Sequence, residues 1–186
     1  MDDMVAMLDQ GLEHTGRIVD TVQETQWANA TLCSEWDART LLNHLVNALS
    51  MFQQVIEKGE VSGDRSADRL GQDPKGAFHR AAEANAKAWR EPGVFERTLK
   101  LPFGEMPGQV ASGICFQEIV VHGLDLAMAT QQEGLVDQQL AEDALGVARG
   151  MGIDNFRILG VFGPEVPVAA DADCHRRLLG YLGRQV

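Results

Sequence analysis

The stretch that decides the fold is QEIVVHGLDLA, residues 117–127. Glu118 and His122 lie four residues apart, and Asp125 follows three further on. At 3.6 residues per turn, these three share one side of a helix. Around them, Ile114, Phe116, Ile119, Val120, Val121, Leu124, Leu126 and Met128 spread over the remaining faces of a helix predicted from about Gln109 to Thr130. A helix apolar nearly all round belongs at the centre of a domain. An unpaired carboxylate in such a place is costly, so Glu118 and Asp125 need a compensating partner. A divalent cation is one such partner, because carboxylate oxygen and imidazole nitrogen are both good ligands.

Working outward, the apolar period stays helical. Met4, Leu8, Leu12, Ile18, Val19 and Val22 recur at three- and four-residue steps and predict a first helix over 4–22. Leu41, Leu42, Leu45, Leu49, Phe52 and Ile56 mark a second helix ending near Lys58, with Ser34 and Asp37 read as its capping box. The polar segment GEVSGDRSADRLGQ is a loop, and Asp73-Pro74 reads as N-cap and first residue of a third helix carrying Phe78, Ala81, Ala82, Asn85 and Trp89. FERTLKL (95–101) alternates like a short strand and PFGEMPG follows as a turn, so at most a small β ribbon is expected. A fifth helix is predicted over about 137–151, an irregular stretch follows, and Asp173 caps a short last helix through Gly180. Helices joined by short connections predict an all-α, up-and-down four-helix bundle with a short additional C-terminal helix. Residues 1–186 read as one metal-binding domain, with about 153–186 as an extension packed on the bundle.

The second helix supplies a third candidate ligand. His44 interrupts the apolar stripe of LLNHLVNAL. His44, Glu118 and His122 together give two imidazoles and a carboxylate, the donor count of a catalytic zinc site with room for a further ligand. Nickel and iron accept the same donors. Asp125 is the candidate to orient His122 from behind, or else to pair with an arginine. Each element has a plainer reading. A histidine in an apolar helix is commonly a hydrogen-bonded core residue, and the Glu-x-x-x-His spacing also fits an ion pair.

Composition limits the partners. The 186 residues carry 16 basic and 27 acidic side chains, a formal net charge of -11. Nucleic acids and anionic membranes both need a cationic face, so neither is expected as a partner. No uninterrupted apolar run approaches the ~20 residues of a membrane span. The acidic start MDDMVAMLDQ is unlike the basic start of a signal peptide. Three widely spaced cysteines, Cys33, Cys115 and Cys174, suggest neither a disulfide framework nor a zinc knuckle, which fits a reducing cytoplasmic setting. Cys33 and Cys115 are read as packing residues, and Trp27 and Trp36 as packing anchors. His14, His79 and His175 stand in polar stretches and are expected at the surface, with His14 also placed to reach the mouth of the bundle. A homodimer is compatible with the sequence.

The segment TLCSEWDARTLLNHLVNAL resembles the opening motif of the DinB-like bundles related to mycothiol-dependent maleylpyruvate isomerase. The pattern T-x-C-x-x-W-x-x-x-x-L-x-x-H is matched by Thr31, Cys33, Trp36, Leu41 and His44. QEIVVHGLDLAMAT is similar to their second motif, and the tail FGPEVPVAADADCHRRLLGYLGR resembles that of a short actinobacterial subfamily. The resemblance implies a bundle holding a divalent metal, zinc first, through His44, Glu118 and His122. It also implies that the metal binds the sulfur of a small thiol such as mycothiol as thiolate. The sulfur then attacks an electrophilic small molecule, in S-transfer or isomerisation. Leu124 stands where the family usually has an aromatic residue. The roughly 35 residues after the fifth helix are too few for the isomerase's second domain. A non-catalytic metal-binding or dimeric structural bundle is the competing expectation.

Overall fold

The structure is a computed structural model that describes residues 2–64, 66–153, 157, 162–169 and 171–186. Six helices are described: α1 (Asp2–Thr21), α2 (Ala38–Lys58), α3 (Pro74–Ala88), α4 (Gly108–Ala129), α5 (Gln138–Gly150) and α6 (Cys174–Tyr181). Two strands, β1 (Thr98–Leu101) and β2 (Gly104–Pro107), form an antiparallel hairpin in which Leu101 pairs with Gly104. The expected ribbon is there, and the predicted turn after Leu101 supplies its second strand.

The helices start where side chains satisfy the free backbone amides of a first turn. Asp73 accepts from Gly76 N–H at 2.9 Å, and Pro74 begins α3 as the sequence predicts. Asp137 accepts from Gln139 and Leu140 N–H at the start of α5. The capping box predicted at Ser34 is not used. Asp37 is the N-cap of α2, accepting from Thr40 N–H at 2.7 Å. The chain from 31 to 37 instead makes a tight turn, with Trp36 N–H bonded to Cys33 C=O at 2.8 Å and Thr31 Oγ1 donating to Trp36 C=O. Two patterns, S-x-x-D and D-x-x-T, compete over these residues, and the turn leaves only the second in helical register.

Helices α1 to α4 form the bundle, in which α1 packs on α4 and α3, and α2 packs on α3 and α4. Leu8, Ile18, Leu41, Leu45, Phe52, Phe78, Phe116 and Ile119 are fully buried between them. The centre belongs to α4, as its composition predicts. By length and composition alone it is apolar enough to cross a membrane, although Glu118, His122 and Asp125 break its apolar run. However, 83% of its apolar window is buried by the rest of the protein. Burial of apolar area at roughly 25 cal/mol per Å² is the main stabilising term for such a helix. Helix α5 packs on α4, and α6 packs on α5.

Two histidines expected at the surface are inside. His14 is 1% exposed, and its Nε2 accepts from Asp137 N–H at 3.1 Å, tying α1 to the start of α5. Burial is the largest influence on its pKa and lowers it, which fits a neutral acceptor. His175 is 2% exposed, with Nδ1 3.0 Å from Gln138 Nε2. Their polar neighbours in sequence conceal that both face the start of α5, His14 at Asp137 and His175 at Gln138. His79 is exposed, as expected, beside Asp20 at 2.7 Å. The stretch predicted to be irregular after the fifth helix falls largely outside the described residues. Its described part, 162–169, carries no regular structure.

Candidate metal centre

The sequence places Glu118 and His122 one turn apart on α4, and the packing of α2 on α4 brings His44 to them. His44 Nε2 is 3.1 Å and His122 Nε2 is 3.4 Å from the same oxygen, Glu118 Oε2. The donor atoms of all three lie within 4.8 Å of one another. The imidazole rings of His44 and His122 meet edge to face at 5.0 Å. Trp36, carried over by the turn before α2, lies against His44 with ring centroids 4.5 Å apart. Thus Trp36 is part of the site's wall and more than a packing anchor.

A second set of donors shares His122. Asp125 Oδ2 is 3.2 Å from His122 Nδ1, and Cys33 Sγ donates to the same oxygen at 3.5 Å. This set already has its cation. Arg184, from the C-terminal tail, donates through Nε to Asp125 Oδ1 at 3.0 Å and through Nη2 to Oδ2 at 2.9 Å. Asp125 is completely buried, and a bidentate guanidinium compensates it. Among the described residues, the imidazoles of His44 and His122 are the groups in direct contact with the Glu118 carboxylate. The donor chemistry therefore fits a metal ion at His44, Glu118 and His122, and fits an organic cation at Asp125.

The electrostatics follow. Burial alone raises the Glu118 pKa, but hydrogen bonds and charge from His122 and His44 outweigh it and hold the carboxyl well below its usual range. Burial works against a charged His122, yet Asp125, Cys33 and Glu118 together raise its pKa well above 6.5. Asp125 is raised by burial and lowered more by His122 and Arg184, to about 2. The cluster is thus charged in both senses at neutral pH, with carboxylates beside an imidazolium.

The three donors open onto a cavity of about 510 Å³, walled by Trp36, Gln117, Val121, Leu182 and Arg184. Cys33 lines it too, partly buried against the core. Cys115 is fully buried in the core, where burial pushes its thiol up to about 12, and its Sγ donates to Asn85 Oδ1 at 3.6 Å. All three cysteines are free. An arginine partner for Asp125 is one of the two expectations from the sequence, but a lone arginine in a tail carries no local signal that it is Arg184.

A bundle with two histidines and a carboxylate at its floor defines a class, and comparison with known proteins supplies its family. The chain belongs to the family of the mycothiol maleylpyruvate isomerase N-terminal domain, which it matches over residues 8–127. Among individual relatives, the uncharacterized proteins Rv0738 and MT0763, from two strains of Mycobacterium tuberculosis, are each 34% identical over 176 residues. The match covers 91% of this chain and 91% of theirs. The crystal structure of the mycothiol-dependent maleylpyruvate isomerase superposes with a TM-score of 0.55 at 16% identity, covering 67% of this chain. A mutant form of that enzyme gives 0.55 at 15%. This likeness establishes the DinB-like bundle fold. The chain spans 60% of the length of the solved isomerase.

Proposed function

We propose that this protein is a divalent-metal enzyme that joins a small thiol of the mycothiol type to a small electrophile, as an S-transferase or isomerase. The observation that carries the reading is the convergence of His44, Glu118 and His122 within 4.8 Å at the floor of an open cavity. Family membership supplies the thiol, because the solved relative is a mycothiol-dependent isomerase. Zinc suits the donors best, and nickel and iron also accept two imidazoles and a carboxylate.

His44, Glu118 and His122 would hold the metal. A bound divalent cation favours the deprotonated form of a sulfur donor near neutral pH. The protein's own residues do the rest. Asp125 fixes the His122 ring through Nδ1, leaving Nε2 directed at Glu118 and the cavity. Trp36 and Val121 give the cavity apolar walls beside the three donors. A volume of about 510 Å³ suits a small molecule, within the roughly 300–1,000 Å³ of ligand sites.

Turnover separates this reading from a metal-binding protein without catalysis. Zinc-loaded protein incubated with mycothiol and a reactive electrophile is expected to form the S-conjugate, or the isomerised product, faster than buffer alone. His122→Ala is expected to abolish that difference. Conjugation and isomerisation at the uncatalysed rate with the wild type contradict the enzyme reading.

A further inference from the structure

The C-terminal tail reaches the site by a specific backbone device. Helix α6 closes with Arg184 N–H bonded to Leu179 C=O at 2.9 Å and Gly183 N–H bonded to Gly180 C=O at 2.9 Å. These nested bonds form a Schellman turn, which needs a left-handed residue at Gly183. Gly183 has φ +89, and a β-carbon there would stand 2.8 Å from backbone atoms of Gly163. The turn reverses the chain, and the next side chain, Arg184, points back into the bundle with 12% of its surface exposed.

Its guanidinium then meets Asp125 with both prongs, at 3.0 and 2.9 Å, across 59 residues of sequence. Asp125 in turn stands 3.2 Å from His122 Nδ1, and the opposite nitrogen of that ring faces Glu118. We infer that Arg184 is a positioning residue for the metal centre, holding Asp125 so that His122 presents Nε2 to the ion. This rests on the metal reading proposed above. The physical reason is the planar fork. Two parallel N–H bonds fix the plane of the carboxylate, whereas a lysine ammonium would fix one oxygen and leave the plane free to turn. Asp125 without Arg184 would be a buried carboxylate held only by His122 and a thiol. The last turn of the chain is therefore part of the site, although it lies outside the segment matched to the family, residues 8–127.

The test is zinc affinity of the full chain, measured by competition with a chromophoric chelator. It is supported by the visible spectrum of the cobalt(II)-substituted protein, which reports ligand geometry. Arg184→Ala is expected to lower zinc affinity by about 10- to 100-fold, the usual effect of losing an outer partner of a ligand. Arg184→Lys keeps the charge that compensates Asp125, so it guards against loss of folding, and is expected to lose affinity and alter the cobalt spectrum. In an Asp125→Ala background, removing Arg184 is expected to have no further effect. Arg149→Ala is the control for tail packing. It removes a guanidinium 5.7 Å from the Tyr181 ring without touching Asp125, and should leave affinity unchanged. Wild-type affinity in both Arg184 variants, or a loss that persists undiminished in the Asp125→Ala background, overturns the inference. A wild type that binds no zinc overturns the metal reading itself, and is a different outcome.

Discussion

Gly123 lies directly against Thr15: a β-carbon at 123 would stand 2.4 Å from Thr15 Oγ1, which itself donates to Ile119 C=O at 3.1 Å. The residue after His122 is thus a point of close approach between α1 and α4. Gly123→Ala is expected to force the helices apart and cost about 1–3 kcal/mol, the usual range for overpacking. In a chain of this size that lowers the melting temperature by about 2–4 °C per kcal/mol. Thr15→Ala should recover part of the loss in the double variant, because it removes the nearest atom. Calorimetry of the four proteins checks the coupling, and strictly additive losses contradict it.

Protons and metal compete for the same cluster. In the metal-free protein His122 is held charged near neutral pH, its pKa raised well above 6.5 despite burial. A metal can use that nitrogen only after the proton leaves. Zinc affinity is therefore expected to rise with pH, with proton release on binding. Titration calorimetry in buffers of different ionisation enthalpy measures that release, and binding without proton release contradicts the charge assignment.

The same groups shape the stability of the metal-free protein. Asp125 falls from 3.8 to about 2 in the fold, so its contribution is present above pH 4 and is lost as pH falls toward 2. Linkage over that shift is worth roughly 2 kcal/mol. His122 has the opposite sign: its raised pKa contributes below pH 6.5 and is lost as pH climbs through the folded value. Denaturant unfolding across pH 3–9 is expected to show maximal stability between about pH 5 and 7. Asp125→Asn should flatten the acid side, and an unchanged acid limb in that variant contradicts the assignment.

Much of this was legible in the sequence because helical periodicity is a local signal. The apolar belt of α4 and the stripe of α2 place Glu118, His122 and His44 in one interior, and the structure brings the three together. What was not legible depends on chain reversals. Trp36 reaches His44 only because the turn at 31–37 displaces the start of α2 from Ser34 to Asp37. Arg184 reaches Asp125 only through the left-handed turn at Gly183. The burial of His14 and His175 depends on which helices cover them, and polar neighbours in sequence carry no information about that.

Trp36 gives a separate handle on the cavity. Its ring packs 4.5 Å from His44 and 6.0 Å from His122. Such contacts contribute about 0.5–1.5 kcal/mol, so Trp36→Ala should weaken zinc binding by about two- to tenfold. Trp36→Phe should retain most of the affinity. Equal affinity in the alanine variant would mean that the ring shapes the cavity without holding His44.

The central claim is that His44, Glu118 and His122 hold one divalent ion. Its most direct test is elemental analysis of zinc-reconstituted protein after exhaustive dialysis, comparing the wild type with His44→Ala, Glu118→Gln and His122→Ala. The account predicts one zinc per wild-type chain and none retained by folded chains carrying any of the three substitutions. A wild type that retains no zinc, or three variants that retain it as the wild type does, would contradict it.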